Sequence, residues 1–105
     1  MKKFINDPSK VVDEALEGYI TVYPEVLEVL PDAIVLVRKK DPGFLKVGVI
    51  TGGGSGHEPA FLGYVGEGLC DAAAIGEIFA APPAEWIYKG IKRIDMGKGV
   101  KITII

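Results

Sequence analysis

Ser55, His57 and Glu58 stand together at the end of "VITGGGSGHEP", and His57 is the only histidine of the 105-residue chain. An imidazole exchanges a proton near neutral pH, so a histidine beside a carboxylate and a hydroxyl is a candidate acid or base. Gly52, Gly53, Gly54 and Gly56 lie just before or beside these residues. Glycine admits positive φ and lets backbone amides approach a ligand with no Cβ in the way, which makes this segment a candidate binding loop.

Spacing excludes the named versions of such a loop. A phosphate-gripping P-loop needs Lys and then Ser or Thr after its last glycine; here Gly56 is followed by His57 and Glu58. A dinucleotide fingerprint counted from Gly52 or Gly54 needs glycine where His57 or Pro59 stands. A nucleophile elbow on Ser55 needs glycine two residues later and meets His57. A zinc-binding histidine pair needs a second histidine where Phe61 stands, and no other metal spacing survives, so no metal is expected. Two readings stay open. In one, loop amides hold a hydroxyl whose proton His57 exchanges, which suits a polyol or sugar-like ligand. In the other, this is an ordinary turn with a solvent-facing or capping histidine.

Composition narrows the ligand classes. The chain has 12 basic and 14 acidic residues, a net charge of −2, so neither nucleic acid nor an anionic membrane is an expected partner. With 49% hydrophobic and 25% charged residues it reads as globular. A single cysteine, Cys70, permits no internal disulfide and suits a reducing compartment, so the cytoplasm is expected. The start, "MKKFINDPSK", breaks at Asn6, Asp7 and Pro8 before any apolar run of signal length, and no stretch reaches the roughly 18 apolar residues of a membrane span.

The elements that position His57 follow from periodicity. Asp7 as cap and Pro8 in the first turn predict a helix near residues 8 to 22, with Val11, Val12, Ala15, Leu16, Tyr19 and Ile20 on one face. "AIVLVRK" from Ala33 and "FLKVGVIT" ending at Thr51 read as two strands with a turn at Lys39 to Gly43 between them, Val47 to Thr51 being the core of the second. "CDAAAIGEIF" is a short buried strand by its small residues. Pro82 and Pro83 open a helix to Asp95 with Trp86, Ile87, Ile91 and Ile94 as a core-facing stripe, and Lys89, Lys92, Arg93 and Asp95 as its solvated face. Val100 to Ile105 is apolar and β-branched, as in a covered parallel strand. Alternation of strand, helix and strand predicts an α/β fold, a sheet with parallel strands covered by helices. Because the chain ends inside so strand-like a segment, an amino-terminal fragment of a larger domain is expected. Tyr64 reads as packing or pocket lining, and Cys70 as a small buried residue.

"TGGGSGHEPAFLGYVGEGLCDAA", Thr51 to Ala73, with "GEIFAAP", Gly76 to Pro82, and the opening "KKFINDP" resembles the start of the dihydroxyacetone kinase family, in its substrate-binding K subunit or domain. The resemblance spans the chain and makes residues 1–105 the amino-terminal part of a single K-type substrate-binding domain. It implies that Gly54, Ser55, Gly56 and His57 contact dihydroxyacetone, with His57 as the general base that takes the proton of the terminal hydroxyl during phosphoryl transfer. Thr51 and Glu58 are then candidates for setting the imidazole tautomer. The resemblance further implies a homodimer at full length, and a nucleotide-binding L-type subunit or domain carrying ATP or ADP with Mg. The donor is ATP or a phosphotransferase-system relay, and this chain itself binds no cofactor. A second histidine, a lysine and an aspartate of the family's site fall after the "VKITII" strand. Ala80 and Ala81 stand where relatives carry Thr and Ser, which bears on specificity, and non-catalytic ketose-binding coactivators and erythrulose kinases share the pattern.

Overall fold

The computed structural model describes residues 2–39 and 41–104. Asp7 accepts the Ser9 N–H at 2.9 Å, so a 3-10 turn, Pro8–Lys10, opens where cap and proline predict, and α1 (Val11–Val22) continues it. The strands are β1 (Leu27–Val29), β2 (Val35–Arg38), β3 (Gly48–Ser55), β4 (Ala72–Ile78) and β5 (Val100–Ile104), with α2 (Ala84–Ile94) between the last two.

They form one sheet in the order β1-β2-β4-β3-β5. β4, β3 and β5 are mutually parallel where they pair, while β1 and β2 join antiparallel, so the expected α/β sheet is a mixed one. The alternating side chains of β2 and β4 build a core on each face. Leu36, Ala73 and Ile75 meet Val12 and Leu16 of α1 together with Phe61 and Leu62. Val35, Val37, Ala72 and Ala74 meet Ile50 and α2, where Trp86, Ile87, Ile91 and Ile94 form the expected stripe. Leu36, Ile50, Val35 and Val37 are wholly buried, each contributing on the order of 2 kcal/mol of apolar transfer.

Two features lay beyond the sequence reading, and two expectations change. The two strands around Lys39 to Gly43 are not neighbours: β4 lies between β2 and β3, pairing antiparallel with the first and parallel with the second. Lys40 of that turn lies outside the described residues. The glycines read as a loop begin inside a strand, since Gly52, Gly53 and Gly54 are in β3, hydrogen-bonded to a strand on each side as far as Gly52. β1 was not anticipated, its three residues being too few to show a period. Finally β5 occupies the sheet edge, with Ile102 51% and Ile104 38% exposed, so it is not a covered strand here; Ile105 lies outside the described residues.

Candidate functional site

β3 and β4 run parallel with Gly52 opposite Ala74 and Gly53 opposite Ile75, and the register slips before Ser55 pairs with Ile78. Their carboxyl ends therefore open side by side, the place where α/β sheets receive ligands. The chain leaves β3 through Gly56, at φ +113°, and exposes His57. It leaves β4 through a tight turn in which the Ala80 N–H reaches the Glu77 carbonyl at 3.0 Å and the Phe79 N–H reaches the Ser55 carbonyl at 2.8 Å.

Two of the glycines have a packing reason that the sequence alone does not reveal. A Cβ on Gly76 would come within 2.0 Å of the Ala80 carbonyl oxygen, and one on Gly54 within 2.7 Å of the Ala80 nitrogen. The segment after β4 folds back onto these bare positions, so the approach that Gly54 permits is made by the chain's own backbone.

Ser55 is 3% exposed and its hydroxyl donates to the Gly76 carbonyl at 2.8 Å. That bond ties the two strand ends together. Glu58 has a partner other than the imidazole: its carboxylate accepts the Gly56 N–H at 2.9 Å. Thr51 is buried in mid-sheet, opposite Ala73 and Thr103. Of the residues singled out in the sequence, Gly54 and Ser55 thus belong to the strand end, and Gly56 and His57 face outward.

The imidazole makes ring contacts with two phenylalanines. Phe61, buried in the α1-side core, presents an edge-on contact at 6.4 Å between centroids, and the exposed Phe79 lies at 5.4 Å, tilted by 56°. Phe79 escaped the sequence reading, because no period or motif marks a residue whose importance comes from a turn. Beside the site a cleft of about 250 Å³ runs between α1 and the strand ends, with Ala15, Leu62, Ile75 and Ile78 on its walls and Ser55 and Glu58 as polar members. Tyr64 is 45% exposed and leans edge-on against Phe61, 6.2 Å between centroids.

At the opposite, amino end of β4 lies a second polar centre. Asp71, 2% exposed, accepts from Arg38, from Lys46 and, at 2.8 Å, from the Val49 N–H. Burial pushes its pKa up, the largest single influence, but Lys46, the Val49 amide and Arg38 together hold it below the ordinary carboxylate value. Cys70 next to it has its thiol pKa raised, chiefly by burial and then by Asp71, with Lys46 opposing, so its thiolate is suppressed. Among the described residues no group of three His, Cys, Asp or Glu side chains could hold a metal, and no helix is long and apolar enough to cross a membrane.

The family model described as the Dak1 domain matches residues 17–105. The chain is 44% identical over 103 residues, 98% of its length and 31% of the relative's, to the PTS-dependent dihydroxyacetone kinase, dihydroxyacetone-binding subunit DhaK of Lactococcus lactis subsp. lactis (strain IL1403). It is similar to the solved dihydroxyacetone kinase operon co-activator Dha-DhaQ, with a TM-score of 0.76 and 41% identity, covering 85% of this chain and 27% of that one. It is also similar to the dihydroxyacetone kinase from C. freundii in complex with AMP-PNP and Mg2+, with a TM-score of 0.81 and 26% identity, covering 99% of this chain and 25% of that one. The chain thus spans under a third of the length of these relatives.

Proposed function

The chain belongs to the Dak1 domain family, and on that premise we propose that it forms the amino-terminal part of the ketose-holding domain of a dihydroxyacetone kinase. The observation that carries this reading is the placement of the one histidine. His57 is exposed just past the carboxyl end of β3, flanked by Phe61 and Phe79. Dihydroxyacetone lies against Gly56 and His57, at the strand end that Gly54 and Ser55 build. As its terminal hydroxyl oxygen bonds to the donor phosphorus, the proton passes to His57, and the bond from phosphorus to the donor's leaving group breaks with the negative charge departing on that group.

The donor is held elsewhere. No lysine follows the glycines, and the backbone of Ala80 covers Gly54 and Gly76, so the residues do not fit a phosphate cradle. ATP or ADP with Mg belongs to an L-type partner subunit or domain, and the whole protein acts as a homodimer in the cytoplasm, a compartment that the unpaired Cys70 suits.

A second reading, a ketose-binding coactivator without turnover, draws support from the likeness to the solved co-activator at 41% identity, which stands beside the 44% shared with the kinase's dihydroxyacetone-binding subunit. Coupled phosphorylation of dihydroxyacetone by the whole protein with its nucleotide-bearing partner separates the two. Turnover supports the kinase, whereas ketose binding without turnover supports the coactivator. Turnover of erythrulose in place of dihydroxyacetone supports a kinase of related specificity.

A further inference from the structure

Phe79 stands at φ +53°, the one described residue other than glycine with a positive φ. It is the third residue of the Glu77–Ala80 turn, a position where positive φ ordinarily selects glycine or asparagine and a bulky side chain is disfavoured. The chain has 14 glycines, yet none stands here. Core packing does not account for the phenylalanine, because it is 71% exposed. What the ring touches does. A Cβ on Gly56 would come within 2.5 Å of Phe79 Cε1, so Gly56 is bare where the ring lies, and the same ring stands 5.4 Å from the His57 imidazole between centroids. The Phe79 N–H, bonded to the Ser55 carbonyl at 2.8 Å, locks the turn to the strand that carries the histidine.

We infer that Phe79 is a positioning residue for His57, and that the chain retains a disfavoured backbone conformation in order to set this ring against the imidazole. Phe61, fixed in the core, makes the other ring contact at 6.4 Å. The two ring contacts bias the exposed imidazole toward one orientation, which is what a base needs if its nitrogen is to meet a ligand hydroxyl productively. The inference rests on the reading of His57 as the base, but the contact itself is testable without catalysis.

His57 is the chain's only histidine, so its ring C–H signals in a proton NMR spectrum are unambiguous. Phe79→Gly relieves the positive φ and is expected to melt no lower than the parent protein. At the same time the His57 signals should lose their ring-current displacement and move toward those of a free histidine. Phe79→Tyr should restore them. In the phosphorylation assay Phe79→Gly should lower kcat by about tenfold to a hundredfold with a smaller change in KM, and Phe79→Tyr should recover it. His57 signals that do not move in Phe79→Gly, a lower melting temperature, or an unaltered kcat would each overturn the inference. Should the parent protein phosphorylate no ketose, the kinase reading falls, and the NMR and melting results decide the role of Phe79 by themselves.

Discussion

β3 and β4 run side by side between two polar centres built on opposite plans. At the amino end of β4, Asp71 is buried and surrounded by two cations and a backbone amide, and Lys46 and Arg38 are themselves only 26% and 14% exposed. At the carboxyl end, backbone packs so closely on Gly54 and Gly76 that side chains have no room, and His57 stands in the open. The first arrangement engages both Asp71 oxygens with groups of the fold itself. The second leaves a titratable group facing solvent on a rigid support, which is what binding and proton transfer require. The charged cluster is accounted for by the fold, whereas the exposed histidine is not, and that is why the proposed function rests on His57.

Substitutions at the two ends should separate cleanly. The largest effect is expected for His57→Ala, which should lower turnover of the whole protein by about 10²–10⁴-fold while leaving its melting temperature unchanged and ketose binding less affected. A loss of stability on the same scale as the loss of activity would make His57 a structural residue and erase the contrast. Asp71→Asn should do the reverse, costing about 3 kcal/mol in urea denaturation because it leaves Arg38 and Lys46 facing a neutral amide, with the kinetic constants of the folded protein preserved.

Gly76→Ala sharpens the comparison from the other side, since its methyl would meet the Ala80 carbonyl oxygen at 2.0 Å and force the turn after β4 to move. About 2 kcal/mol of stability should be lost, together with activity, and a variant that keeps both would show that the close packing is dispensable. Acid should act on stability through Asp71 as well. Its folded pKa is depressed, so it holds fewer protons folded than unfolded, and its contribution to stability is complete above the unfolded value of about 3.9. That contribution is lost as pH falls through the lower folded value, so Asp71→Asn should flatten the acid limb of the stability profile below about pH 4. Smallest of all, Glu85→Ala removes an exposed pair with Lys89 on α2, 3.4 Å apart, and should shift stability by only about 0.3 kcal/mol.

Much of this architecture is legible in the amino-acid sequence. The cap at Asp7, the proline opening of α2 and its Trp86 to Ile94 stripe are local signals, because capping and a 3.6-residue period act within a few turns of chain. So is the candidacy of His57, which follows from its uniqueness and its glycine surroundings. Sequence could not reveal that β4 separates β2 from β3, nor that Arg38 and Lys46 converge on Asp71 from 33 and 25 residues away. Pairing partners and ion clusters depend on which segments meet in space, and neither periodicity nor spacing encodes that meeting. The glycines divide along the same line. Their number marked the segment as special, but only the tertiary structure decided that Gly54 and Gly76 make room for Ala80 and Gly56 for the ring of Phe79, since a missing Cβ has meaning only against the atoms that occupy its place.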